Sequence, residues 1–114
     1  MGTNKDYKEF ILQELKGYQK KYLRGLAHKL RPVVYVGQKG ATDAVVDSLE
    51  EALSAHELVK IKFVENKEKN TKKMISTELE KRTGSRLVGL IGHVVILFRS
   101  HPDPDKRKIS LPRR

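Results

Sequence analysis

The stretch Val33-Val34-Tyr35-Val36-Gly37-Gln38-Lys39-Gly40-Ala41-Thr42-Asp43 decides how this chain is read. Four β-favouring residues run into a turn bounded by two glycines, and helix-starting residues follow at once. Val33–Val36 is therefore expected to be a short strand, with Thr42 or Asp43 capping the helix that follows. That junction has a chemical use. Glycine allows positive φ and removes the Cβ that would hold a ligand away from the backbone. The first amides of a helix lack intrahelical partners and sit at its positive end, which favours anions, phosphate above all. Lys39 adds a cation at the tip, and Gln38 adds an amide. A GxxG loop clamps a nucleic-acid backbone by this logic.

Upstream, Tyr18, Tyr22, Leu26 and Leu30 form an apolar stripe at four-residue steps, with Leu23 and Ala27 beside it. A helix over about 18–29 is predicted, ended by Arg31-Pro32, with Lys20, Lys21, Arg24 and Lys29 off the stripe. Tyr18 and Tyr22 stand on the stripe, which points to core packing rather than stacking. Further upstream, Tyr7, Phe10, Ile11 and Leu15 predict helix over 5–16.

Downstream of the loop, Val45, Val46, Leu49, Ala52 and Leu53 define the inward face of a helix, with Asp47, Glu50 and Glu51 facing away. Leu58–Val64 alternates as a strand with one wet face. Asn66–Asn70 reads as a turn, and residues 71–83 read as a helix with Met74, Ile75 and Leu79, joined by Glu78, along its apolar edges. Gly84 is its C-cap. Arg86–Ile91 and Val94–Arg99 are strands joined by a two-residue hairpin at Gly92-His93. The final residues, HPDPDKRKISLPRR, carry three prolines and a run of bases, and are expected to be an extended electrostatic arm. The order α-β-α-β-α-β-β places the chain in the α/β class as a compact single domain with a four-stranded mixed sheet and helices. The domain is expected over 15–100, between an extension at 1–14 and a basic tail at 101–114.

Charge supplies the partner. The 114 residues carry 24 Lys and Arg against 14 Asp and Glu, for a net charge of +10. Residues 1–40 are net +6, residues 41–57 net −5 and residues 58–114 net +9. A basic surface with one acidic patch suits a polyanion that approaches from one side. Asp43 and Asp47 repel phosphate, so RNA should touch the loop and turn toward the basic helix. The absence of cysteine excludes disulfides, thiolate metal sites and thiol nucleophiles, and fits a reducing, cytoplasmic setting. The longest apolar run is Val94–Phe98, too short to span a membrane, and the opening MGTNKDYKEF lacks a signal-peptide core.

Other motifs carry less. Gly89-Leu90-Ile91-Gly92 repeats the GxxG spacing with an apolar interior, as expected of sheet packing and a turn. His56-Glu57-Leu58-Val59-Lys60 begins like a zinc-protease motif, but its fifth residue is lysine and the stretch leaves a helix for a strand, so no metal site is expected. His28 suits either an RNA contact or a capping role. Lys60, Lys62, Lys67, Lys69, Lys72 and Lys73 suit a solvated face or a wider RNA footprint. No acid–base pair or nucleotide motif suggests an enzyme or a cofactor.

Several blocks together resemble the CRM (chloroplast RNA splicing and ribosome maturation) domain family, most closely its small stand-alone prokaryotic form, the YhbY type. They are LRGLAHKLRPVVYVGQKGATDAV, HELVKIKF, Thr83-Gly84, LIGHVVILFR and RKISLP, in the family's order over about 15–112. The resemblance implies a fold similar to the C-terminal domain of translation initiation factor three. It implies RNA binding through Gly37, Gln38, Lys39 and Gly40 with help from the basic helix, for which Lys20, Lys21, Arg24, His28, Lys29 and Arg31 are the candidates. It also implies association with precursors of the large ribosomal subunit, so that ribosomal RNA, and with it ribosomal proteins, are the expected partners, with no membrane or small-molecule substrate. A protein-interaction module in ribosome assembly, motivated by the acidic helix, and a group II intron splicing cofactor are the alternatives. Phe98 stands where the family often has tyrosine, which suits a core role.

Overall fold

The computed structural model describes residues 14–65 and 68–113. Helix α1 spans Gly17–Ala27 and strand β1 Val34–Val36. Helix α2 spans Asp43–His56, β2 Leu58–Phe63 and α3 Lys69–Thr83. The hairpin strands β3 and β4 are Arg86–Ile91 and Val94–Phe98. The sheet order is β1-β2-β4-β3, with β1 parallel to β2 and the other pairs antiparallel. This is the α-β-α-β-α-β-β order and the mixed four-stranded sheet that the sequence predicts.

Local chemistry accounts for the boundaries. Thr42 Oγ1 accepts from Val45 N at 3.2 Å and caps α2. Gly84 takes φ 68° and donates its N–H to Glu80 O, closing α3 with the left-handed residue that glycine adopts at no steric cost. A register shift between Leu87 and Gly89 bulges β3, and Glu80 Oε2 accepts the Leu87 N–H at 2.6 Å beside it.

The helices cover both faces of the sheet. On one face α2 and α3 bury Val46, Leu49, Leu53 and Leu79 against Val34, Val36, Val59, Ile61, Phe63, Val95 and Leu97. On the other, α1 buries Leu23 and Ala27 against Leu58, Val88, Ile96 and Phe98. Phe98 is core, as its position suggests. Each large apolar side chain so buried contributes about 1.5–3 kcal/mol relative to exposure.

Three expectations change. In α1 the buried line is Leu23 and Ala27, whereas Tyr22 is 43% exposed and Leu26 is exposed too. The apolar arc of this helix is wider than the surface available to it, and the sheet selects the edge whose small Ala27 lets the backbone approach. In α3 the inward face is Lys72, Ser76, Leu79 and Thr83, with Met74 72% exposed. Buried polar residues are tolerated there because each bonds: Ser76 Oγ donates to Lys72 O, Thr83 Oγ1 to Leu79 O, and Lys72 Nζ to Gly92 O. The turn placed at Asn66–Asn70 is shorter, since α3 already includes Lys69 and Asn70. The helix expected over 5–16 falls largely outside the described residues.

The terminal segment is extended for much of its length, yet it is docked rather than free. Glu57 is 1% exposed. Its Oε2 accepts from His101 N, and its Oε1 accepts from Lys108 N and Ile109 N, at 2.7–2.9 Å. Ile109 and Leu111 then pack against the α1 side of the core, and Gln19 Nε2 donates to Pro112 O. A carboxylate taken from water needs such donors, and the docked segment supplies them.

Candidate nucleic-acid interface

The Gly37–Gly40 loop follows the last residue of edge strand β1. Gly40 N donates to Gly37 O at 3.1 Å, which closes a tight turn, and Thr42 N donates to Gly40 O at 2.9 Å. Gln38 and Lys39 are exposed at its tip.

The two glycines do different work. Gly40 is buried at φ 70°, and a Cβ there would meet Ile75 Cδ1 at 3.3 Å. Its need for glycine is internal to the fold. Gly37 has no positive φ, and a Cβ there would meet nothing within 4 Å. A Cβ at 37 would therefore be accommodated by the fold.

Helix α3 props this turn. Ile75 packs beneath Gly40. Arg82 Nη1 donates to Ala41 O at 2.9 Å, and its Nη2 donates to Asp43 Oδ1 at 2.6 Å. The Asp43 hydrogen bond is the main reason the Arg82 pKa is raised above its ordinary value. The repulsion expected of Asp43 is thus answered within the chain. Glu50 is likewise paired, with Arg99 at 2.8 Å, and Glu57 is buried. Of the acidic block, Asp47 and Glu51 remain as exposed carboxylates without an ion pair among the described residues. Arg82 also pairs with Glu78 at 3.6 Å one helical turn away, but no sequence signal ties it to the loop, because Ala41 and Asp43 lie far away in the chain.

The basic candidates of the first helix divide by edge. Lys20, Arg24 and His28 share one edge of α1 at four-residue spacing. Arg24 lies over Gly89, its Cδ 3.2 Å from where a Cβ would stand, and its Nη1 donates to Val88 O. The opposite edge, with Tyr22 and Leu26, lines an open groove together with Pro112 and Arg113 of the docked segment. Lys21 and Lys29 point outward and are exposed. Arg31 is exposed just before β1, so the three-residue strand, about 10 Å long, separates it from the loop. The structure therefore holds Gly37, Gln38, Lys39 and Gly40 as one unit and sets the α1 cations apart from it.

Registers show what lies between. Helix α1 covers the row Lys60–Ile96–Gly89, where Lys60 Nζ donates to Leu30 O at 3.0 Å. The next row on that face is Tyr35–Lys62–Val94–Ile91, running across all four strands. Tyr35 is 56% and Ile91 62% exposed.

Residues 15–99 match the profile of the CRS1 / YhbY (CRM) domain. The chain belongs to the CRM domain family. A Haemophilus influenzae relative, named an RNA-binding protein, is 41% identical over 96 residues, spanning 84% of this chain and 93% of the relative. The Bacillus subtilis protein YqeI is 36% identical over 98 residues, spanning 86% of this chain and 99% of its own. The solution structure of SAV1595 from Staphylococcus aureus superposes with a TM-score of 0.75 at 31% identity, covering 86% of this chain and 99% of that one. The region aligned with this chain is thus nearly the whole of each of these relatives. Among the described residues of this CRM domain, no group of three or more His, Asp or Glu side chains is placed to hold a metal, and no helix is long and apolar enough to cross a membrane. The second GxxG lies within β3 and its turn, with Gly92 at φ 59°.

Proposed function

We propose that this CRM domain is a non-enzymatic RNA-binding assembly factor that grips the sugar–phosphate backbone with its Gly37–Gly40 loop and acts on precursors of the large ribosomal subunit. The observation that carries the reading is the open space at Gly37, at a turn braced from beneath by Ile75 and Arg82 with Lys39 at its tip. A strand of RNA can approach the backbone there without meeting a side chain, and the amides at the start of α2 lie next to it. Arg24 and Lys20 supply further cations on the α1 side, with His28 beside them as a hydrogen-bonding ring and Lys21, Lys29 and Arg31 as outlying charge. The relative named an RNA-binding protein supports RNA as the ligand, and the ribosomal precursor follows from what the sequence resemblance implies.

The test is co-sedimentation of the tagged protein with ribosomal particles in gradients of cell extract, comparing wild type with Gly37→Asp. Wild type should travel with large-subunit precursors, and the variant should stay at the top. Equal sedimentation of both would end the loop's role. Co-sedimentation that survives nuclease treatment, with no RNA retained, would favour the protein-interaction module instead.

A further inference from the structure

The row Tyr35–Lys62–Val94–Ile91 is a surface that the loop reading does not use. It lies immediately beyond the edge of α1, and the loop begins two residues after Tyr35. Its composition is unusual for solvated sheet. An aromatic and an isoleucine, each more than half exposed, flank a lysine and a half-buried valine. The Tyr35 hydroxyl also donates a long hydrogen bond, 3.4 Å, to Pro32 O. Lys39 follows Tyr35 by four residues at the loop tip, and Arg24 lies over Gly89 of the adjacent row.

We infer that this row is a platform for the unpaired bases of single-stranded RNA, with Tyr35 as the stacking residue. The inference rests on the loop reading, since it takes the loop to hold the backbone from which those bases hang. Charge decides the occupant. The row holds exposed Lys62 and no acid, Lys39 stands at the loop tip beyond Tyr35, and Arg24 lies on the adjacent row, which suits a polyanion carrying flat apolar faces. Aromatic rings in a basic groove bind single strands in this way, because every base has a π-face. A duplex hides those faces and offers only phosphate and sugar edges.

The experiment measures binding of a short labelled single-stranded RNA of mixed sequence, and of the same strand annealed to its complement, over a range of salt. Tyr35→Ala should weaken single-strand binding about 5- to 100-fold at fixed salt. It should leave the salt slope unchanged, because a base contact releases no counterions. Tyr35→Phe should bind as wild type does, and duplex binding should ignore either change. Thermal melting guards the interpretation, since a side chain this exposed should not shift the midpoint. The chain has no tryptophan, so quenching of tyrosine fluorescence by RNA, reduced in Tyr35→Ala, reads the stacking directly. An unaltered single-strand affinity in Tyr35→Ala overturns the platform. So does an equal loss on duplex, or a concentration-dependent dimer that Tyr35→Ala abolishes, which would make the row a self-association surface. In the first of these outcomes, retained binding that still depends on Lys39 leaves the loop reading standing. Failure of wild type to bind any RNA at low salt removes both.

Discussion

Arg82 and Asp43 are joined by a 2.6 Å hydrogen-bonded ion pair, across 39 residues of chain, at the point where the Gly37–Gly40 turn enters α2. The same guanidinium holds Ala41 O. One side chain thereby fixes the base of the turn and cancels the negative charge closest to it. Removing it should loosen the turn and expose a repulsive carboxylate together. Arg82→Ala should weaken RNA binding several-fold, while Asp43→Ala in the same background should recover most of the loss. A double-mutant cycle in RNA affinity checks this, and a coupling of zero would show that the pair has no bearing on the loop.

The two glycines should separate in measurement. Gly40→Ala forces a side chain into the left-handed region against Ile75, at a cost of about 1–2 kcal/mol, which for a domain of this size lowers Tm by roughly 4–8 °C. Gly37→Ala enters open space and should melt within a degree or two of wild type. Gly37→Asp should also stay folded yet lose RNA, which makes it a cleaner probe than any change at Gly40. Calorimetry beside a binding titration distinguishes the two effects.

Backbone contacts should reveal themselves through salt. If about four phosphates of a single strand are neutralised, the log–log slope of the binding constant against salt is near −3. Lys39→Ala should make that slope shallower by about 0.7, one contact's share, and lower affinity alike for all sequences. An unchanged slope would place Lys39 off the RNA.

Glu57 should matter to the terminal segment more than to the loop. Glu57→Gln keeps the shape but turns one acceptor into a donor facing an amide N–H. An unsatisfied buried donor costs about 1–3 kcal/mol. The denaturation midpoint should fall accordingly, and hydrogen exchange should accelerate at His101, Lys108 and Ile109 before it does in the sheet. Unaltered protection at those amides would show that the segment is held by Ile109 and Leu111 alone.

Much of this molecule was legible in its residue order. The strand–turn–helix at Val34–His56, the Thr42 cap, the Gly84 stop and the Gly92-His93 hairpin follow from chemistry within a few residues of each feature. Such signals survive folding because they are satisfied locally. The loop's polar tip and its place before a helix were visible for the same reason.

Tertiary contact decided the rest. Which edge of α1 is buried depends on the sheet beneath it, and both Leu23–Ala27 and Tyr22–Leu26 were apolar enough to serve. The inward Lys72 and Ser76 of α3, the amides that surround Glu57, and the guanidinium that quiets Asp43 all rely on partners brought together from distant parts of the chain. The exposed Tyr35 row exists because α1 stops one row short. A side chain's burial is set by the sum of its neighbours, and no single stretch of sequence contains them.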